Sequence, residues 1–169
     1  MRRGMTRREM EITDQSRILE ILDKSKIVHI GLVDGDEPYV IPMNYGYEMD
    51  DSGNLILYLH GAPKGRKIDV MRVNPKVSFA MECDVTQFGG EMACQHGTAY
   101  SSIMGRGEAD IIEDVEEKKE KLRLLMKTQV GKEYAFDDRL ISIVSVIRIR
   151  FSDYTAKCRV MPPNAKVIQ

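Results

Sequence analysis

Between Asn54 and Glu82 two apolar runs flank a basic turn, and this arrangement limits the fold more than any other stretch. Leu55 to Leu59 is leucine-rich, β-branched and aromatic, short, and bounded by Ser52-Gly53 and Gly61, which is the signature of a strand. Val77, Phe79 and Met81 alternate with Lys76, Ser78, Ala80 and Glu82, the period of a half-buried strand. Between them a short helix is expected, opened by Pro63, carrying Ile68, Val70 and Met71, and stopped at Asn74-Pro75 because a residue before proline leaves the α region.

The turn itself carries the chemistry. Lys64, Arg66 and Lys67 crowd the first turn of that helix beside Gly61 and Gly65. Cations there oppose the helix dipole, and a bound anion would remove the conflict while meeting the free amides. Arginine supplies a planar fork for phosphate and lysine a point charge. A solvated basic turn is the alternative that spacing leaves open. The glycine spacing, with no Ser or Thr after Lys67, excludes a Walker A loop.

The rest of the chain reads as strands joined by turns, with helices early, midway and late. Thr13 or Asp14 caps a helix whose apolar face is Ile18, Leu19, Ile21 and Leu22. Strands are expected over 27–33 and 38–48, joined at Asp34-Gly35, then over 54–60, 76–82, 98–112 and 140–151. Pro42 inside the second belongs at an edge, a bulge or a cleft lip, because it gives nothing to a ladder. Residues 84–97 read as loop or bulged strand ends, and Gly105 and Gly107 as a bend. Asp114 and Glu117 form a capping-box-like pair before a long helix that turns Val115, Leu122, Leu125 and Met126 inward and ends at Gly131. Six antiparallel strands with helices give an α+β class, a small barrel rather than a parallel sheet. Residues 1–11, with Arg2, Arg3, Arg7 and Arg8, read as a flexible arm, 12–158 as one domain and 159–169 as a tail.

Balanced charge, 25 basic against 26 acidic residues, argues against a dedicated nucleic-acid binder; a regulator using the N-terminal arginines is the alternative. No run is long enough for a membrane helix, and no apolar stretch follows the first arginines as in a secretory signal. Cys83, Cys94 and Cys158 suit a reducing cytoplasm. His29, His60 and His96 lack the paired spacing of a zinc site, so no metal is expected. His60 closes the third strand four residues before Lys64, beside the basic turn.

Taken together, these segments resemble the flavin-binding split-barrel proteins related to pyridoxamine 5'-phosphate oxidase, in the nitroimidazole-resistance (Nim-type) branch. The residues that carry the resemblance are Ile18 to Leu22, Gly31-Leu-Val33, Pro38 to Tyr47, Leu57 to His60, Gly65-Arg-Lys67, Asn74-Pro75, Glu91 to Cys94, Gly105-Arg-Gly107 and Tyr154 to Lys157. The resemblance implies a six-stranded split barrel that forms a homodimer with FMN at the subunit interface, FAD being possible. It implies that Arg66 and Lys67, with Lys64 nearby, hold the flavin phosphate and that Ser102 reaches it from a neighbouring strand. It also implies that Val40, Ile41, Pro42, Met43 and Asn44 run along the flavin, with Leu59 beside it. His60 is the catalytic candidate, facing a small electron-accepting compound. The expected activity is that of a flavin-dependent reductase resembling nitroimidazole reductases; a non-catalytic flavin- or haem-binding module is the alternative. The C-terminal Trp- and Arg-containing segment of pyridoxamine phosphate oxidases has no counterpart, and Thr155-Ala156-Lys157 stands where the Nim branch closes with Thr-Gly-Lys.

Overall fold

The computed structural model describes residues 6–50 and 52–168, without the side chain of Ser152. Arg2 and Arg3 of the expected arm, and Asp51 of an expected turn, lie outside the described residues. Nine strands and four α-helices alternate through the described residues. The sheet path is β3 (Glu37–Met43), β2 (Val28–Asp34), β6 (Lys76–Gly89), β7 (Gly97–Ile112), β8 (Ser145–Arg159), β5 (Leu55–Gly61) and β4 (Gly46–Met49). Two short strands join it: β1 (Glu11–Ile12) on β8 and β9 (Lys166–Val167) on β6. The path is not closed, and β3 and β4 stand at its ends. This is the α+β split barrel.

The expected six strands become seven on the path because the run 38–48 breaks in two. Asn44 and Tyr45 leave the ladder, and each has its own reason. Tyr45 is fully buried and its carbonyl accepts a 2.7 Å hydrogen bond from Gln129 Nε2. The Asn44 amide donates to the Lys26 carbonyl at 3.1 Å. The third-strand expectation is met by β5, and β6 is longer than its alternating core, running on through Asp84 at φ 54° to Gly89.

Two compact units divide the chain: Met1–Ser25, Ala80–Met104 and Thr155–Gln169 in one, Lys26–Phe79 and Gly105–Tyr154 in the other. In the first, α1 (Gln15–Lys24) is capped by Asp14, whose Oδ1 accepts from Ser16 N at 2.8 Å, and it buries Ile18, Ile21 and Leu22. In the second, Leu55, Leu57, Leu59, Ile68, Ile147, Ile149 and Phe151 are fully buried. Full burial of one such side chain stabilises the fold by about 1.5–3 kcal/mol.

The helices correct several expectations. α2 (Arg66–Val73) starts at Gly65, φ 127°, rather than at Pro63, which lies in the bend before it. α3 (Val115–Val130) is capped by Asp114, accepting from Glu117 N at 2.8 Å, and ends at Gly131 in the left-handed region. Leu122 and Leu125 turn inward, but Val115, at the first position, stays exposed. The run expected as a strand from Leu140 opens instead with α4 (Asp138–Ser142), because Asp137 accepts from Leu140 N at 2.8 Å and caps it; Ile141 is buried. No helix is long and apolar enough to cross a membrane.

Candidate functional site

The second unit carries the basic turn and all but one of the residues singled out with it. β5 delivers His60 at its end, Gly61 follows, and the bend 63–65 returns the chain to α2. Because consecutive helix positions diverge by about 100°, Arg66 and Lys67 cannot both face the same way.

Lys67 lies back over the end of β5. A Cβ on Gly61 would stand 2.6 Å from Lys67 Cε and 2.9 Å from its Nζ, so a side chain there would displace the end of the lysine from where it now lies. Lys67 is half-buried, and among the described residues neither it nor Lys64 has a carboxylate partner. His60 keeps a face to solvent, yet the protein packed around its ring, and then the Lys67 ammonium, hold its pKa below that of a free imidazole. His60, Gly61 and Lys67 thus form one corner. At the mouth of α2 the Ile68 amide donates to the Gly65 carbonyl at 2.9 Å, whereas the Arg66 and Lys67 amides come too early for a partner inside the helix and no side chain caps them.

Arg66 turns toward the β2–β3 hairpin instead. Its Nε donates to Asp34 Oδ2 at 2.7 Å, NH2 reaches Glu37 Oε2 at 3.4 Å, and the guanidinium lies 4.5 Å over the Tyr39 ring. The Asp34 hydrogen bond is the main cause of its raised pKa. The groove beside it, about 530 Å³, also holds Asp69, so its rim is acidic. Sequence spacing therefore grouped Arg66 and Lys67, while the structure separates their heads.

β3 supplies the remaining strand positions. As an end strand it accommodates Pro42, whose register partner on β2 is His29. Val40, Pro42 and Asn44 are exposed, and Ile41 and Met43 on the opposite face are half-buried. Asn44 is already engaged with Lys26 and with Gln129 Oε1 at 3.3 Å. The Leu59 side chain is fully buried, leaving only its backbone for a ligand. Ser102 is half-buried on β7 in the other unit. Among the described residues no three His, Cys, Asp or Glu side chains gather as a metal site.

Sequence reasoning missed the roles of Asp34 and Gln129. Asp34 reads in the sequence only as a turn residue, and Gly61 as a strand boundary beside the basic turn, with no sign that Lys67 lies across it. Gln129 is 85 positions from Asn44 and gave no local signal.

The family model for pyridoxamine 5'-phosphate oxidase matches residues 14–158. The chain belongs to that family. Within the pyridoxamine 5'-phosphate oxidase family it is of the Nim type, being similar to a candidate 5-nitroimidazole antibiotic resistance protein from Bacteroides thetaiotaomicron. That crystal structure is 30% identical, with 88% of this chain and 86% of that chain covered at a TM-score of 0.76. The flavocytochrome Anf3 of Azotobacter vinelandii shares the fold at 20% identity, TM-score 0.79, covering 98% of this chain and 83% of its own. An FAD- and haem-binding protein of Mycobacterium smegmatis does so at 14% identity, TM-score 0.79, covering 94% and 83%. Among curated proteins no sequence match is found.

Proposed function

We propose that this family member binds FMN, with FAD as the longer alternative, and serves as a flavin-dependent reductase of small electron-accepting compounds such as nitroheterocycles. The observation that carries the reading is Lys67, a half-buried cation with no carboxylate partner among the described residues, laid across Gly61 at an uncapped helix start. That corner fits a terminal phosphate, which helix amides and a lysine bind together. Lys64 adds charge from the bend. Arg66 joins only by leaving Asp34, so its share is smaller than that of Lys67.

Flavin, when bound, supplies the redox chemistry, and the chain supplies orientation and electrostatics. The exposed positions Val40 and Pro42 of β3 offer a strand edge for a flat ring. His60, uncharged at neutral pH with its lowered pKa, gains affinity for a proton once a phosphate offsets Lys67. It would then hold that proton toward the acceptor. The assembly in this reading is a homodimer with the cofactor at the subunit interface.

The absorption spectrum of the purified protein, with mass identification of the released group, tests the cofactor. Two broad visible bands and a mass of FMN or FAD are expected. A single Soret band, or a colourless protein that does not take up added FMN, rejects it. Anaerobic reduction with NADPH followed by a nitroimidazole then tests turnover, and a reduced protein that leaves the nitro compound unchanged is a carrier.

A further inference from the structure

The unit that lacks the basic turn encloses a cleft of about 760 Å³, within the range of about 300–1,000 Å³ usual for small-molecule sites. Its floor is the end of β6, where Phe88 is 2% exposed. One wall is the 3₁₀ turn Ala93–Gln95 with His96; the other is the C-terminal segment 162–168. That segment is fixed in place, with Lys166 and Val167 paired to Gly89 and Phe88 and Ile168 N donating to Gln87 O at 3.0 Å.

Glycines let the walls close. A Cβ on Gly89 would stand 2.7 Å from the His96 ring and 2.8 Å from Ile168 Cδ1, and one on Gly97 would stand 2.7 Å from Arg159 NH2. His96 Nδ1 lies 3.1 Å from the Met92 carbonyl; with that oxygen accepting, Nδ1 keeps its proton and Nε2 is the acceptor of the neutral ring. The charge of the lining is one-sided: Arg159 and Lys166 against Glu91. Arg159 lies 5.4 Å over the Phe88 ring, and among the described residues neither it nor Lys166 has a carboxylate partner.

We propose that this cleft binds a small planar carboxylate. The exposed side chains of Val167 and Ile168 take its ring, and Arg159 and Lys166 take its anionic end. A fork of guanidinium donors, held over the buried Phe88 ring and facing an apolar wall, suits a flat acid better than a neutral or cationic guest. The site is separate in residues and in ligand from the basic turn.

Cys94 lines the same cleft and is exposed, whereas Cys83 is buried and Cys158 half-buried, so the chain contains its own reporter. Iodoacetamide labelling of the full chain, read by peptide mass spectrometry, is run with 1-naphthoate or with neutral 1-naphthamide. Naphthoate is expected to slow labelling at Cys94 and naphthamide to leave it unchanged at equal concentration. By calorimetry, Arg159→Gln with Lys166→Gln is expected to weaken naphthoate binding by about tenfold or more, the loss expected of charge-assisted hydrogen bonds. Asn164→Trp, at an exposed turn, fills the cleft and should also abolish binding while circular dichroism stays native. Equal protection by acid and amide, unchanged affinity in the Arg159/Lys166 variant, or loss of binding on Lys67→Met would overturn the proposal.

Discussion

His60 and Lys67 are coupled electrostatically, and each should report on the other. A neighbouring cation and a partly dry setting both disfavour the imidazolium. An NMR titration is therefore expected to show His60 below the ordinary histidine value, and Lys67→Met should move it upward. Added FMN should move it upward too, by bringing negative charge to the same corner. Linkage then requires FMN binding to tighten as pH falls through the His60 titration, since protonation favours the complex. A pH-independent affinity would disconnect the two residues. Lys67→Met should weaken FMN about tenfold or more, as for loss of a hydrogen-bonded charge. Asp34→Asn should strengthen it by releasing Arg66 from its 2.7 Å partner. Fluorescence quenching measures both, and weaker binding in Asp34→Asn would mean that Arg66 must stay where Asp34 holds it.

At the scale of elements, α3 is set on β4 by contacts that leave no slack. A Cβ on Gly46 would come within 2.7 Å of Leu125 Cα and 2.8 Å of its nitrogen, backbone that cannot rotate away. Gly46→Ala is expected to destabilise the protein by about 1–3 kcal/mol or more in urea unfolding, the usual penalty of overpacking. Beside it Lys121, 10% exposed, donates to Glu48 at 2.9 Å and to Glu120 at 2.8 Å, while the Tyr58 hydroxyl donates to Glu48 at 2.7 Å. Burial and then Glu48 push the Tyr58 pKa up to about 12. Removing one member should hurt more than removing the charge pair. Glu48→Gln is expected to cost about 1–3 kcal/mol by leaving the ammonium under-satisfied, whereas a double Glu48→Met, Lys121→Met change should cost less. Equal losses in the two would show that the triad is not a unit.

These elements also show what the sequence could and could not disclose. Asp14, Asp114 and Gly131 work locally, through amides two or three residues away or a single left-handed residue, so the chain states them outright. The capping box at Asp114 was only half right, since the Glu117 carboxylate turns to Arg148 at 2.6 Å instead of to its own cap. The break at Asn44 and Tyr45 depends on Gln129, and the divergence of Arg66 from Lys67 depends on Asp34, 32 positions back. Periodicity carries no trace of such pairings. The apolar start at Leu140 went to a helix because Asp137 offered a cap, a competition that hydrophobicity alone does not decide.

Across the molecule, acid should be the weak side of its stability. Asp110 is held by Arg148 at 2.6 and 3.2 Å and by Arg150. Burial alone would raise its pKa, but the hydrogen bonds and charge of Arg148, then of Arg150, lower it below the usual carboxylate value. A carboxylate with a depressed folded pKa contributes stability above its unfolded pKa and loses it as pH falls through the folded one. Melting temperature is therefore expected to drop below the ordinary aspartate range, and Asp110→Asn should flatten that acid limb while lowering stability at neutral pH. An unchanged acid limb would assign it to other carboxylates. Sedimentation should show twice the chain mass if the homodimer exists. How two copies could meet follows from β3, the strand left at one end of the path. A proline in a terminal strand turns its nitrogen away from the ladder, and Pro38 and Pro42 share that orientation with Val40, whose side chain is 62% exposed. Along that margin Val40 alone between them retains an amide hydrogen, too few for a second chain to zip on as an added strand, and association there has to come through side chains laid flat against each other.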